Sequence, residues 1–221
     1  MRKKILITLL IFVAVLAVVI AVAFIRLSLN TSDITADYSS IYDNPKYQTP
    51  VYVDGVEVIT QDVSCGYAVI EMFSAWNGER ITEADLYDEY GRVVTSTGSA
   101  FCEEMNKRFP EYETSMYSYL TGPELIDKVY DSLSSGVPVP FEWAALYEDT
   151  WTLHFSLIIG LDVPSDIVTV ANPYGYIEQI SVDEFLDRTS FEAYEDMPLF
   201  LRFAFAFDIF EKNTVFIPDH L

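Results

Sequence analysis

Cysteine and histidine each occur only twice in this 221-residue chain, as Cys65, Cys102, His154 and His220. So few ligands, one of them penultimate, make neither a convincing structural zinc site nor a disulfide framework. One bridge between Cys65 and Cys102 is compatible with the sequence. A reduced Cys65, with Cys102 as a small buried residue, is the reading favoured here. Basic residues are also scarce: 13 Lys and Arg stand against 34 Asp and Glu. Such a field repels nucleic acid and anionic headgroups and draws in cationic peptides or metal ions, although solubility of a surface protein explains it as well. Missing too are a D-x-[DN]-x-[DN]-G loop, a P-loop, a dinucleotide fingerprint, a G-x-S-x-G elbow and any internal repeat. No cofactor, no metal and no nucleic-acid partner are therefore expected.

Charge is absent altogether from Ile5 to Ile25, a run that also lacks proline. Its length matches the hydrocarbon core of a bilayer for a helix. Arg2, Lys3 and Lys4 precede it and Arg26 alone follows, so the positive-inside rule puts the N-terminus in the cytoplasm and the body outside. A cleaved signal peptide is the competing reading, because Ala21-Val22-Ala23 would suit a signal peptidase; the chain would then be secreted. A retained single-pass anchor over residues 1–26 is preferred, since the run exceeds a usual signal core. Residues 27–50 read as a polar spacer with little regular structure, its tyrosines packed along the domain surface. Residues 51–221 are expected to form one domain.

Within that domain, Val51 to Ile59 alternates around Asp54-Gly55, a hairpin signal. Ala68, Val69, Met72, Phe73 and Trp76 recur at helical spacing, with Ser64 as N-cap and Gly78 as stop. Further helices are expected from Thr82, over Gly98 to Arg108, from Gly122-Pro123-Glu124 and from Ser181. Tyr112 to Leu120, Val137 to Glu142, Leu153 to Leu161, Ile167 to Ala171 and Leu199 to Phe207 read as strands. Helices first and an antiparallel sheet afterwards argue for an α+β fold.

Cys65 falls in the first turn of the Ala68–Trp76 helix, where free N–H groups and the helix dipole favour a thiolate. A thiol hydrolase also needs an imidazole, a group fixing its tautomer, and donors for the oxyanion. With His220 expected to be mobile, His154 is the credible base; taken alone it reads as a core histidine. Asn172, at the end of the next strand, could accept the imidazole N–H, or be an ordinary turn residue before Pro173. Gln61 and the Cys65 N–H could hold the oxyanion. The aromatic cluster Trp143, Tyr147 and Trp151 reads as core before it reads as a cleft.

The order of these groups carries more than any one of them. Gln61-x-x-x-Cys65-Gly66, an apolar helix, Gly136-x-Pro138-Val139, His154 with Gly160 six residues on, and Asn172-Pro173-x-Gly175 together resemble the papain-like cysteine peptidase superfamily. The pattern is most similar to the bacteriocin-processing (double-glycine) peptidase domains and their free-standing relatives, over roughly Val51 to Arg188. The resemblance implies a papain-like fold, Cys65 as nucleophile, His154 as general base, Asn172 as orienting residue and Gln61 as oxyanion donor. It also implies a peptide or protein substrate, with acyl transfer open to the same residues. That subgroup generally carries aspartate where this chain has Asn172. A non-catalytic surface protein that binds peptide or cell-wall partners is the rival expectation.

Overall fold

The computed structural model describes residues 2–31, 38–92, 97–190, 204, 207 and 209–221. Helix α1 (Arg2–Thr31) is unbroken. Its Lys3–Arg26 portion, with a mean hydropathy of 3.4, is long and apolar enough to cross a membrane by length and composition.

The domain is α+β, and its described residues form seven antiparallel strands: β1 (Val51–Tyr52), β2 (Tyr112–Tyr117), β3 (Val139–Tyr147), β4 (Thr150–Asp162), β5 (Ile167–Asn172), β6 (Tyr176–Ile180) and β7 (Thr214–His220). Their order across the sheet is β2-β7-β3-β4-β5-β6, with β1 alongside the end of β4. Strand alternation sorts side chains onto two faces. Val139, Phe141, Trp143 and Ala145 of β3 join Val168 and Val170 of β5 and Val215 and Ile217 of β7 in one core. Phe155 and Leu157 of β4, Ala171 and Phe216 join the other. A bulge between Ile158 and Gly160 shifts the parity of β4, which lets both Ile158 and Leu161 face the first core.

Each face is covered by helices. On the Phe155 side lie α3 (Cys65–Trp76), α4 (Glu83–Tyr90) and α5 (Gly98–Arg108), contributing Phe73, Leu86 and Phe101. On the other lie α6 (Gly122–Ser134) and α7 (Val182–Thr189), contributing Ile126, Val129 and Phe185. Capping boxes at Thr82/Asp85 and Thr121/Glu124 start α4 and α6 where the sequence places them.

Three expectations need correction. Val51 to Ile59 is no hairpin: β1 is two residues long and pairs with Gly160 and Leu161, because β4 runs beyond the start of β3 and leaves an open edge there. Residues 38–50 are more ordered than a spacer. They form the short helix α2 (Ser39–Tyr42) and a 3-10 turn (Pro45–Gln48), and bury Ile41 and Tyr47 in the core beside α6. Asp127 accepts from Tyr47, while Asp166 and Asp183 accept from Tyr42, which secures the segment. His220 is not in a loose tail but ends β7, pairing with Tyr112. β6 and β7 carry no signal read from the sequence. The strand expected at Leu199 to Phe207 falls almost wholly outside the described residues.

Candidate active site

Cys65 is the first residue of α3. Ser64 is the N-cap, its side chain accepting from the Tyr67 N–H. β4 runs past the end of β5, whose pairing with it stops at Leu157 and Ala171. At that open edge the start of α3 meets β4: the N–H groups of Phe155, Gly66 and Cys65 itself are directed at the sulfur. These favour a thiolate, yet burial outweighs them and pushes the Cys65 thiol up to about 11, with the nearby Glu142 carboxylate adding to the rise. The expected thiolate is thus corrected: desolvation exceeds the helix-terminus effect. Both cysteines are free thiols. Cys102 donates to the Thr114 carbonyl on α5's own side of the sheet.

His154, buried on β4, shares a face with Ser156 and with Asn172 at the end of β5. Its Nε2 lies 3.0 Å from Asn172 Oδ1. The orientation of the Asn172 amide is fixed twice over, because Oδ1 accepts the Tyr174 N–H at 2.9 Å and Nδ2 donates to Glu178 at 2.8 Å. Oδ1 can only accept, so the imidazole proton sits on Nε2 and Nδ1 keeps its lone pair. Burial holds His154 down at about 4; the Asn172 bond opposes this and the Arg188 charge assists it. The resting pair is therefore a neutral thiol and a neutral imidazole. No hydrogen bond joins the two among the described residues. Tyr174 stacks on the imidazole, ring centroids 4.1 Å apart, and lies near enough to Cys65 for a thiolate there to raise its own phenol. It thus borders both groups.

Gln61 enters from the loop before α3. Its N–H donates to the Pro173 carbonyl at 2.8 Å, which ties this loop to the Asn172-Pro173-Tyr174-Gly175 turn. The Gln61 Oε1 is buried without a hydrogen-bond partner. Glu83, at the start of α4, accepts the N–H groups of Asp62 and Val63 at 2.9 and 2.7 Å and so fixes the path between Gln61 and Cys65. One turn and one loop therefore gather Gln61, Cys65, His154 and Asn172 at the same end of the sheet.

Several supporting groups were not read from the sequence. Glu178, on the unforeseen β6, receives Arg188 Nη1 at 2.7 Å, and Arg188 also donates from Nε to the Ala144 carbonyl and lies 3.6 Å over the Trp143 ring. Tyr174 sits inside the Asn-Pro-x-Gly motif and could have been singled out there; Glu178, Arg188 and Glu83 had no local signal. The aromatic cluster divides: Trp143 is core, whereas Tyr147 is exposed and packs on Tyr174. Among the described residues no group of His, Cys, Asp and Glu could hold a metal ion.

A family profile described as "Peptidase_C39 like family" matches residues 53–197. Comparison with curated proteins gave no match. Among solved structures the chain is similar to the crystal structure of a double glycine motif protease from AMS/PCAT transporter in complex with the leader peptide. That likeness has 16% identity, covers 78% of this chain and 98% of the other, and has a TM-score of 0.49.

Proposed function

The chain belongs to the Peptidase_C39 like family, and on that premise we propose that it is a cysteine peptidase held to a membrane by α1, with its domain on the extracytoplasmic side. The observation that carries this reading is the doubly fixed Asn172 amide, which leaves His154 Nδ1 unprotonated. In the reaction, Cys65 attacks a peptide carbonyl while His154 takes the thiol proton, because neither partner is charged beforehand. Gln61 and the Cys65 N–H stabilise the oxyanion. His154 then protonates the leaving amine, and water hydrolyses the acyl-enzyme. An amine replacing that water would give acyl transfer by the same groups.

The sidedness follows from the basic residues ahead of Ile5. The rival reading is a non-catalytic peptide-binding surface protein; the missing hydrogen bond between Cys65 and His154 is the observation in its favour. Catalytic hydrogen bonds are often long before substrate arrives, so the enzyme reading stands ahead. Incubating the full chain in detergent with a peptide library at pH 7, and sequencing new termini by mass spectrometry, separates the two. Cleavage by the wild type that is lost in Cys65→Ala and His154→Ala supports the peptidase. Equal product from all three chains, or none from any, refutes it.

A further inference from the structure

Glu142 is set apart from the other described acids by burial without a charged or hydrogen-bonding partner. It occupies the middle of β3, between Phe155 on β4 and Thr214 on β7, on the face that α3 covers. Only 3% of it is exposed, and its Oε1 has no hydrogen-bond partner. Its cross-strand partner Phe155 directs its N–H at the Cys65 sulfur, and an ionised Glu142 would act on that thiol, so the carboxyl lies close to the nucleophile. The carboxylate of Glu211 acts on Glu142 in turn, and its own Oε2 is held by the Ser118 hydroxyl at 2.9 Å. No described Lys or Arg forms an ion pair with either acid.

Two neighbouring acids, one buried and unpartnered, are costly in an apolar wall. Glu142 serves no step of the proposed reaction, and its side chain makes no hydrogen bond among the described residues. What the arrangement lacks, among the described residues, is a positive charge. We propose that Glu142, assisted by Glu211, forms a subsite beside Cys65 that binds a cationic group of the substrate, a Lys or Arg side chain or a free amino terminus. This rests on the peptidase reading for its place in a reaction, though the binding itself does not need chemistry. At rest Glu142 holds its proton up to about pH 8, chiefly through burial. An arriving ammonium or guanidinium supplies the counter-charge that lets it ionise. Peptides are thereby sorted by charge next to the bond that is cut.

The test uses the full chain in detergent with Cys65→Ala, and fluorescent, N-acetylated hexapeptides carrying Arg or its neutral isostere citrulline at each position in turn. Anisotropy should give about tenfold tighter binding for Arg over citrulline at one position. Adding Glu142→Gln should abolish that difference and leave the citrulline peptides unchanged, while Glu211→Gln, at a half-buried position, should reduce it in part. Unacetylated peptides without Lys or Arg form a second arm; tighter binding than their capped forms identifies an amino terminus as the ligand. Equal binding across both arms overturns the subsite, as does a preference that survives both substitutions. Cleavage by wild type without charge preference would remove the subsite and leave the peptidase. Charge-selective binding without cleavage would do the reverse.

Discussion

By the resemblance of its Asn-Pro-x-Gly motif, Asn172 stands where double-glycine peptidase domains generally carry aspartate, and its surroundings give a physical reason for the difference. Its amide donates to Glu178 at 2.8 Å. An aspartate there would set two carboxylates face to face, so one would have to take up a proton. Asn172→Asp is therefore expected to lower kcat/KM at pH 7 by about tenfold, and Asn172→Asp with Glu178→Gln to recover most of it. Steady-state cleavage of one peptide by the three chains checks this. Glu142 gives a second prediction at this scale. Its folded-state value of about 8 lies above that of an exposed glutamate, so the fold binds the proton more tightly than the unfolded chain does. Its contribution is intact below the unfolded value and is lost as pH rises to about 8. Glu142→Gln should raise Tm little at pH 4 and by several degrees at pH 8, as thermal unfolding at both pH values would reveal. Cys65, His154 and Asn172, the proposed nucleophile, base and orienting residue, could be singled out because each lies in a compact motif on a well-patterned element. Glu178 and Arg188 were not, since their roles come from β6 and α7 crossing behind Asn172.

At the scale of elements, the turn from Asn172 to Gly175 is the joint between the His154 strand and the Gln61 loop. Gly175 has φ +94, and a Cβ there would meet Thr60 Oγ1 inside contact distance. Gly175→Ala should cost on the order of 1–3 kcal/mol in denaturant unfolding and depress kcat. Thr60→Ala added to it should relieve the steric part alone. The helices were readable from spacing and starting signals, as Ser64, Thr82 and Gly122-Pro123-Glu124 illustrate. β1 was misread because Asp54-Gly55 has the chemistry of a hairpin, while a long-range partner, the open edge of β4, took the strand. Pairing between segments far apart leaves no local mark, and β7 with β2 is the same case.

For the whole molecule, residues 38–50 ahead of β1 belong to the fold. Ile41 is fully buried and Tyr47 is 3% exposed, both in the core shared with α6 and α7. Burying two such side chains contributes about 1.5–3 kcal/mol each. A chain shortened to begin at Tyr38 should keep its stability, whereas one beginning at Val51 should unfold at markedly lower urea concentration. Equal midpoints would show that the segment is only draped on the surface. The acidic excess belongs to this scale as well: under the proposed function its field would draw cationic peptides toward the domain, and the Glu142 subsite would sort them at short range.

The central claim is that His154 acts on Cys65, and iodoacetamide labelling followed by mass spectrometry between pH 5 and pH 9 tests it most directly. With a thiol at about 11 and an imidazole at about 4, His154 stays a free base across this range. Cys65 should label faster than Cys102, and His154→Ala should slow Cys65 by at least about tenfold without changing Cys102. A Cys65 that reacts no faster than Cys102, or is indifferent to the loss of His154, would contradict the account.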